Sequence, residues 1–155
     1  ALKGEEIRRP PEVRLEVDLD LYIPEDYIGI REQKVEVYQK LAGATRLEEV
    51  EHLRDNIIDR FGRPPEMVSG LFDAAAVRIS AAANQIEKMT MASGRVELPF
   101  GESRQLSRKD VEAWRRATDK PLEFSFGRVA IITLDLGQVA EYERLAYLRA
   151  VLNRV

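Results

Sequence analysis

The chain has 155 residues, of which 45% are hydrophobic and 33% charged, and its formal net charge is −3. This composition suits one globular domain with a sizeable core, and the acidic balance argues against a dedicated nucleic-acid binder, which usually carries a basic face. No run reaches the ~18–20 apolar residues of a membrane span, and the absence of cysteine excludes disulfides and thiol chemistry and fits a cytoplasmic location.

The first part of the chain predicts an arm and then a strand. Residues 1–12 are charged and end in Pro10-Pro11, as expected of a linker or extended arm. The start at Ala1 instead of methionine also hints at a segment of a longer protein. Apolar and charged residues alternate over residues 13–21, which predicts a half-buried strand with one charged face. Residues 22–29 contain proline and glycine and break that strand.

The next two helices are predicted over residues 30–42 and 45–61, joined by a turn so short that they should pack antiparallel. In the first, Gly43 provides the stop, and four residues are expected to face inward: Ile30, Val37, Tyr38 and Leu41.

The second helix carries the clearest local signals in the sequence. Thr45 and Glu48 form a T-x-x-E capping box at its start, and Gly62 is placed for a left-handed C-cap. Its apolar stripe repeats at three- and four-residue steps: Leu47, Val50, Leu53, Ile57, Ile58 and Phe61. The opposite face is predicted to be exposed: His52, Asp55, Asn56, Asp59 and Arg60.

The rest of the chain alternates helices and hairpins. An alanine-rich helix follows Pro65, which stands near its first position. Hairpins are predicted around Ser93-Gly94 and Gly127-Arg128, with a helix capped by Ser107 between them and a closing helix from residue 138. This order predicts an α+β fold. It consists of a single domain over residues 13–155, with a strand and three-helix lobe over about 13–86 and a small antiparallel sheet lobe with two helices over about 87–155.

The sequence offers few groups for catalysis. Its single histidine, His52, lies on a polar helix face, whereas metal sites built on histidine recruit several ligands. No glycine-rich phosphate loop and no nucleophile elbow is present. The carboxylates are interleaved with arginine and lysine, as on ordinary solvated helix faces. The residues therefore predict a non-catalytic domain without a catalytic, cofactor or metal site.

Three segments resemble a known family: DYI at 26–28, VYQKLA at 37–42 and, above all, LRDNIIDRFGRPPE at 53–66. Together with LKGEE at 2–6 and Arg31, they are similar to the C-terminal (TRCF) domain of bacterial transcription-repair coupling factors, the Mfd family. The similarity is detailed over residues 2–75, and beyond residue 86 only the order of elements agrees. Many relatives have a glutamate where this chain has Asn56.

The resemblance implies a regulatory role. The whole protein of such families is an ATP-driven DNA translocase that displaces stalled RNA polymerase and recruits nucleotide excision repair. ATP and Mg²⁺ bind its motor domains and not this segment. The C-terminal domain is expected to pack on the UvrB-like module of the same polypeptide and to mask the surface that recruits UvrA. No membrane partner and no tight direct nucleic-acid binding are expected.

The resemblance and the helix pattern meet on the second helix. Its exposed residues His52, Asn56, Asp59 and Arg60 are the predicted interdomain interface. Structural roles are assigned to family positions that surround it: Tyr27, Tyr38, Phe61, Gly62 and Pro65.

Two alternatives stay open on the sequence. One is an independent nucleic-acid-binding accessory domain that uses the hairpins and a set of basic residues: Arg104, Arg108, Lys109, Arg115 and Arg116. The other is a small acid–base enzyme in the cleft between the two lobes.

Overall fold

The computed structural model describes residues 13–155, so the predicted arm, residues 1–12, lies outside the described part. The described residues form an α+β fold, as predicted. In chain order the elements are β1 (Arg14–Val17), α1 (Arg31–Gly43), α2 (Leu47–Phe61), α3 (Glu66–Ala83), β2 (Lys88–Ala92), β3 (Arg95–Pro99), α4 (Arg108–Ala117), β4 (Leu122–Phe126), β5 (Ala130–Asp135), a 3-10 turn (Glu141–Glu143) and α5 (Arg144–Arg154).

The five strands form one mixed sheet in the order β1-β2-β3-β5-β4. β1 pairs parallel with β2, and the other neighbours are antiparallel. The sequence pattern predicts β1 as a strand but groups it with the helices, because alternation shows which face is buried and not which strand is the partner. β1 is shorter than predicted. It ends where the pairing ends, at Val17 opposite Met91, and Asp18 then closes the pair with its N–H donating to Met91 C=O.

One face of the sheet forms the larger hydrophobic core. Its inward residues alternate along each strand, as with Met89 and Met91 of β2 and with Ile132 and Leu134 of β5. Helices α3, α4 and α5 cover this face with a set of buried side chains: Val77, Ala81, Trp114, Leu145, Leu148 and Val151.

A second core lies among α1, α2, α3 and the segment before α1. α3 takes part in both cores: Phe72 and Ala75 pack in the second, while Val77 and Ala81 pack in the first. Its alanines leave room for α5 beside it. α3 is therefore the element around which the fold is built, although α2 carries the stronger sequence signals.

Several predicted details of α1 and α2 are wrong. Ile30 is 54% exposed and only precedes α1, and Tyr38 and Ile58 are 38% and 37% exposed. The small second core needs only a narrow stripe from each helix, so residues at the margin of a predicted stripe stay near solvent. The capping box of Thr45 and Glu48 does not form either, because α2 starts one residue later, after Arg46.

The predicted end of α2 is confirmed at Gly62, whose N–H donates to Ile58 C=O at 2.9 Å. Its φ of 85° is on the left-handed side, as predicted, but its ψ of −168° takes it outside the αL region. That combination of angles is open essentially to glycine alone.

The capping box predicted for α4 is present. The N–H of Asp110 donates to Ser107 Oγ at 3.2 Å, and the N–H of Ser107 donates to the Asp110 carboxylate at 2.7 Å. Arg104 donates to both carboxylate oxygens of Asp110, at 3.2 and 2.9 Å. The hydrogen bond from Arg104, followed by that from Ser107, lowers the pKa of Asp110 to about 2.

Asp110→Ala should therefore destabilise the domain in a pH-dependent manner. The folded-state pKa lies below the ordinary value of 3.8, so the stabilisation by Asp110 is fully present above pH ~4 and is lost as the pH falls towards 2. Loss of the cap and of the arginine pair should cost about 1–2 kcal/mol at neutral pH. Urea unfolding at several pH values measures the difference from wild type. Glu112→Ala, which removes an exposed ion pair with Arg108 in the same helix, should cost under about 1 kcal/mol. A pH-independent loss for Asp110→Ala would contradict this account.

Candidate functional site: the polar face of helix α2

The predicted interface residues share one exposed face of α2. Positions i, i+4, i+7 and i+8 of a helix lie on one side, and all four side chains are exposed. We call this surface the α2 polar face: His52, Asn56, Asp59 and Arg60. The exposure agrees with the sequence analysis, and the binding role of these residues stays a prediction.

Two of the four residues line a groove between α2 and the end of α1. His52 and Asn56 form its wall together with Glu49 and Leu53 of α2, and Lys40 and Gly43 close it from α1. The groove is open to solvent and holds about 510 Å³. The other two residues, one to two turns further along, do not line this groove. The α2 polar face thus divides into a grooved half and a flat, charged half.

The charged half is ordered by its neighbours. The Arg60 guanidinium lies 4.9 Å from the centre of the Phe61 ring, a cation–π arrangement that favours one orientation of a long side chain. On the neighbouring helix α1, the Lys40 ammonium contacts Glu36, four residues earlier in the same helix, at 2.9 Å. The hydrogen bond and charge of Lys40, with a smaller contribution from the charge of Arg60, lower the pKa of Glu36. The three side chains thus form an alternating charged surface on α1 and α2.

The family residues assigned structural roles form the joint between α2, α3 and the segment before α1. Tyr27 packs on Phe61 with ring centres 6.0 Å apart, and its hydroxyl donates to Gly62 C=O at 2.7 Å. Burial raises the pKa of Tyr27. The Tyr38 hydroxyl accepts a hydrogen bond from Ile23 N–H at 2.8 Å. Pro65 directly precedes α3. The end of α2 therefore lies between the Tyr27 side chain, which contacts Phe61 and Gly62, and the start of α3.

A partly buried ion cluster joins α2, α3 and α5, and the sequence analysis missed it. Arg149 of α5 donates to Glu51 of α2 and contacts Asp73 of α3 at 3.4 Å. Burial raises the pKa of Asp73, and this outweighs the opposite effect of Arg149. Burial alone would lower the pKa of Arg149, but the hydrogen bond and charge of Glu51, with Asp73, raise it. Both pKa values are raised because Glu51 is the closer partner of Arg149. Arg149 therefore offsets only part of the cost of burying the Asp73 carboxylate.

A second missed residue ties the turn between α1 and α2 to α3. The Arg78 guanidinium donates to Leu41 C=O at 2.8 Å and to Ala44 C=O at 3.0 Å. These carbonyls lie at the end of α1, where a helix leaves acceptors unpaired. Burial lowers the pKa of Arg78. Charged residues inside the alanine-rich stretch of α3, Asp73 and Arg78, were the signal that could have indicated both contacts.

Within residues 13–155, no group of three or more histidine, cysteine, aspartate or glutamate side chains is arranged to hold a metal ion. In the same range, no helix is both long enough and apolar enough to cross a membrane.

Comparison with solved structures identifies the class of fold. The described α+β arrangement is shared with the crystal structure of the C-terminal domain of transcription-repair coupling factor, with a TM-score of 0.85 over 96% of this chain and 94% of that one, at 20% sequence identity. The family model of the TRCF domain matches residues 17–111, more than half of the sequence. The chain belongs to the TRCF domain family, and the resemblance found in the sequence is confirmed.

Curated relatives carry the same name. The transcription-repair-coupling factor of Bacillus subtilis (strain 168) is 35% identical over 91 residues, which are 59% of this chain and 8% of that protein. The one of Staphylococcus aureus (strain USA300) is 34% identical over 71 residues, 46% of this chain and 6% of that protein. The chain thus spans under a tenth of the length of these relatives.

Proposed function

We propose that this chain is the C-terminal regulatory domain of a transcription-repair coupling factor and acts in transcription-coupled nucleotide excision repair. It packs on the UvrB-like module of the same polypeptide and covers the surface that recruits UvrA. When the motor domains engage RNA polymerase, the contact is released. Membership of the TRCF domain family supports the assignment to a transcription-repair coupling factor. The exposed α2 polar face supports a docking role for this domain.

The observation that carries the proposal is the exposure of the α2 polar face on a firmly supported helix. None of its four side chains is needed for the core, whereas the opposite face of α2 is buried through Val50, Leu53 and Ile57. Exposed charged contacts contribute only ~0–1 kcal/mol each but set orientation and partner choice. A contact of this kind can be specific and still be released.

The proposal assigns no catalysis to this domain, and it places ATP and Mg²⁺ in motor domains elsewhere in a cytoplasmic polypeptide. The two carboxyl groups with the clearest structural pairing, Asp73 and Asp110, face Arg149 and Arg104. Structural ion pairs also displace pKa values, so these shifts do not define an active site.

The test uses the full-length parent protein with Asp59→Ala and Arg60→Ala combined. The double variant should stay folded, because both side chains are exposed, and it should bind UvrA several-fold more tightly because the mask is loosened. Deletion of the whole domain should increase UvrA binding further. Calorimetry or pull-down with UvrA compares the three proteins. A matched control is Arg108→Ala with Glu112→Ala, which removes an exposed pair on α4. Equal UvrA binding by wild type, double variant and deletion would overturn the proposal.

Asn56 offers a substitution in the opposite direction. The family resemblance implies an acid at this position, so Asn56→Glu should tighten the clamp and reduce UvrA binding, and Asn56→Gln serves as an uncharged control of similar size. The new carboxylate also lies four residues before Arg60, an arrangement that stabilises a helix by only about 0.2–0.5 kcal/mol. A change in UvrA binding shared by both variants would show that charge at this position is not the cause.

Nucleic-acid binding through α4 stays the second candidate. The helix presents basic residues on its exposed side, but two of the five are paired: Arg104 with Asp110 and Arg108 with Glu112. Titration of the chain with single-stranded oligothymidine tests this candidate directly.

A further inference from the structure

β4 forms an open edge of the sheet. The N–H of Asp135 donates to Pro121 C=O at 3.0 Å, which fixes the phase of the antiparallel pairing between β4 and β5. Glu123 and Ser125 therefore direct their N–H and C=O groups towards β5. Leu122, Phe124 and Phe126 direct theirs away from the sheet. Because β4 is last in the strand order, no strand among residues 13–155 receives these groups.

Glu123 is the one charged residue within β4, and the other common protections of an edge strand are missing from it. Proteins commonly place lysine, proline or a bulge in an edge strand to prevent pairing with another chain. The sequence of β4, LEFSF, contains none of these. Phe126, at its end, is 64% exposed, the highest exposure among the large hydrophobic residues described.

Positive charge borders the same edge. The Arg115 guanidinium of α4 lies 5.4 Å from the centre of the Phe124 ring, so α4 reaches the core side of β4. Arg116 follows it, and Lys120 stands two residues before β4. None of the three has a carboxylate within 4 Å among the described residues. In a chain of net charge −3, this is a locally basic surface.

We propose that the β4 edge binds an extended acidic peptide, which adds to the sheet as a sixth strand. The outward groups of Leu122, Phe124 and Phe126 supply main-chain hydrogen bonds. Side chains of the added strand alternate between the two faces of the sheet. Those on the core side, next to Phe124, meet Arg115, which favours acidic residues on that side of the added strand.

The charges and the backbone favour a peptide over the other occupants. A nucleic acid would use the cations but has no regular donors and acceptors to match the outward N–H and C=O groups. A second copy of the chain could pair edge to edge, but this would bring Arg115 and Arg116 of both copies together, and like charges disfavour that contact. The proposal concerns a surface separate from the α2 polar face and does not depend on it.

The first measurement is a fluorescence-anisotropy titration of the 155-residue chain with a labelled peptide of alternating valine and glutamate, about ten residues long. The peptide should bind, and the same peptide with glutamine in place of glutamate should bind more weakly. Arg115→Glu should weaken binding about tenfold, since it turns an attraction beside Phe124 into a repulsion. The matched control is Arg46→Glu, which changes an exposed charge directly before α2 and outside the sheet. This variant should leave binding unchanged.

A pair of substitutions at one residue separates the backbone from the side chain. Phe126→Pro removes both the ring and the outward N–H, whereas Phe126→Ala removes only the ring. Proline should weaken peptide binding more than alanine does. Proline is tolerated in edge strands of a sheet, so both variants should fold. Circular dichroism checks that they do.

Amide hydrogen exchange provides a test that needs no variant. In the free chain, the amides of Glu123 and Ser125 should be protected and those of Leu122, Phe124 and Phe126 should exchange rapidly. Saturation with the peptide should protect the latter three. Three results would overturn the proposal: no peptide binding at millimolar concentration, tighter binding of single-stranded oligothymidine that is weakened by Arg115→Glu, or protection of these amides by self-association at high chain concentration.

Discussion

Arg149→Leu should lower the free energy of unfolding by about 2–3 kcal/mol, less than the ~3–5 kcal/mol of a fully buried ion pair, because the Glu51 side chain is 47% exposed. The substitution leaves the Asp73 carboxylate buried in α3 without a counter-charge, and it breaks the link from α5 to Glu51 in α2. Leucine keeps most of the side-chain volume, so the loss reports charge more than packing. Urea unfolding followed by circular dichroism measures the effect.

Combining Arg149→Leu with Asp73→Asn should recover a large part of that loss, because the uncompensated charge is then gone. Asp73→Asn alone should cost less than Arg149→Leu, because Arg149 then keeps the Glu51 carboxylate as its partner. The folded-state pKa of Asp73 is raised, so wild-type stability should fall as the pH rises from about 4 through that raised pKa. The asparagine variant should lack this component. No recovery in the double variant would show that Arg149 acts through packing and not through charge.

Gly62→Val should cost about 2–3 kcal/mol, because a β-branched residue is strained at φ 85° and ψ −168°. A Cβ at Gly62 would meet no atom within 4 Å, so the cost arises from the backbone and not from a collision. The hydrogen bond of Gly62 C=O with Tyr27 at 2.7 Å holds this conformation in place.

Gly43→Ala is the matched control. A Cβ there also meets nothing within 4 Å, but Gly43 lies inside the last turn of α1 and its φ is not positive. Alanine should therefore be neutral or stabilise the domain by up to about 1 kcal/mol. An unchanged urea midpoint for Gly62→Val would contradict the conformation described for the end of α2.

Local signals in the sequence predicted local structure well. The end of α2 at Gly62 and the cap of α4 at Ser107 each depend on residues within a few positions of one another, and both are confirmed. The hairpin around Ser93-Gly94 is confirmed for the same reason, since its two turn residues have the positive φ that the turn requires. The exposure of the α2 polar face followed from helical periodicity alone.

Contacts between segments that are distant in the chain could not be predicted from the sequence. The pairing of β1 with β2, the position of α3 between the two cores and the cluster of Arg149, Glu51 and Asp73 all join residues far apart in the chain. A single sequence gives the charge and periodicity of each segment but not its partner. The groove beside His52 and Asn56 was missed on the same ground, because it exists only where α1 and α2 meet.

The parallel pairing of β1 with β2 has a consequence for the synthesis of the protein. Arg14 pairs with Lys88, so β1 has no partner within the described sheet until α1, α2 and α3 have also been synthesised. Closing so long a loop is entropically costly and slow. Packing of the three helices brings the two ends of this segment close to each other and shortens the distance that remains to be closed. This topology favours an order in which the three helices pack first and the pairing of β1 with β2 forms late, although β1 precedes those helices in the chain.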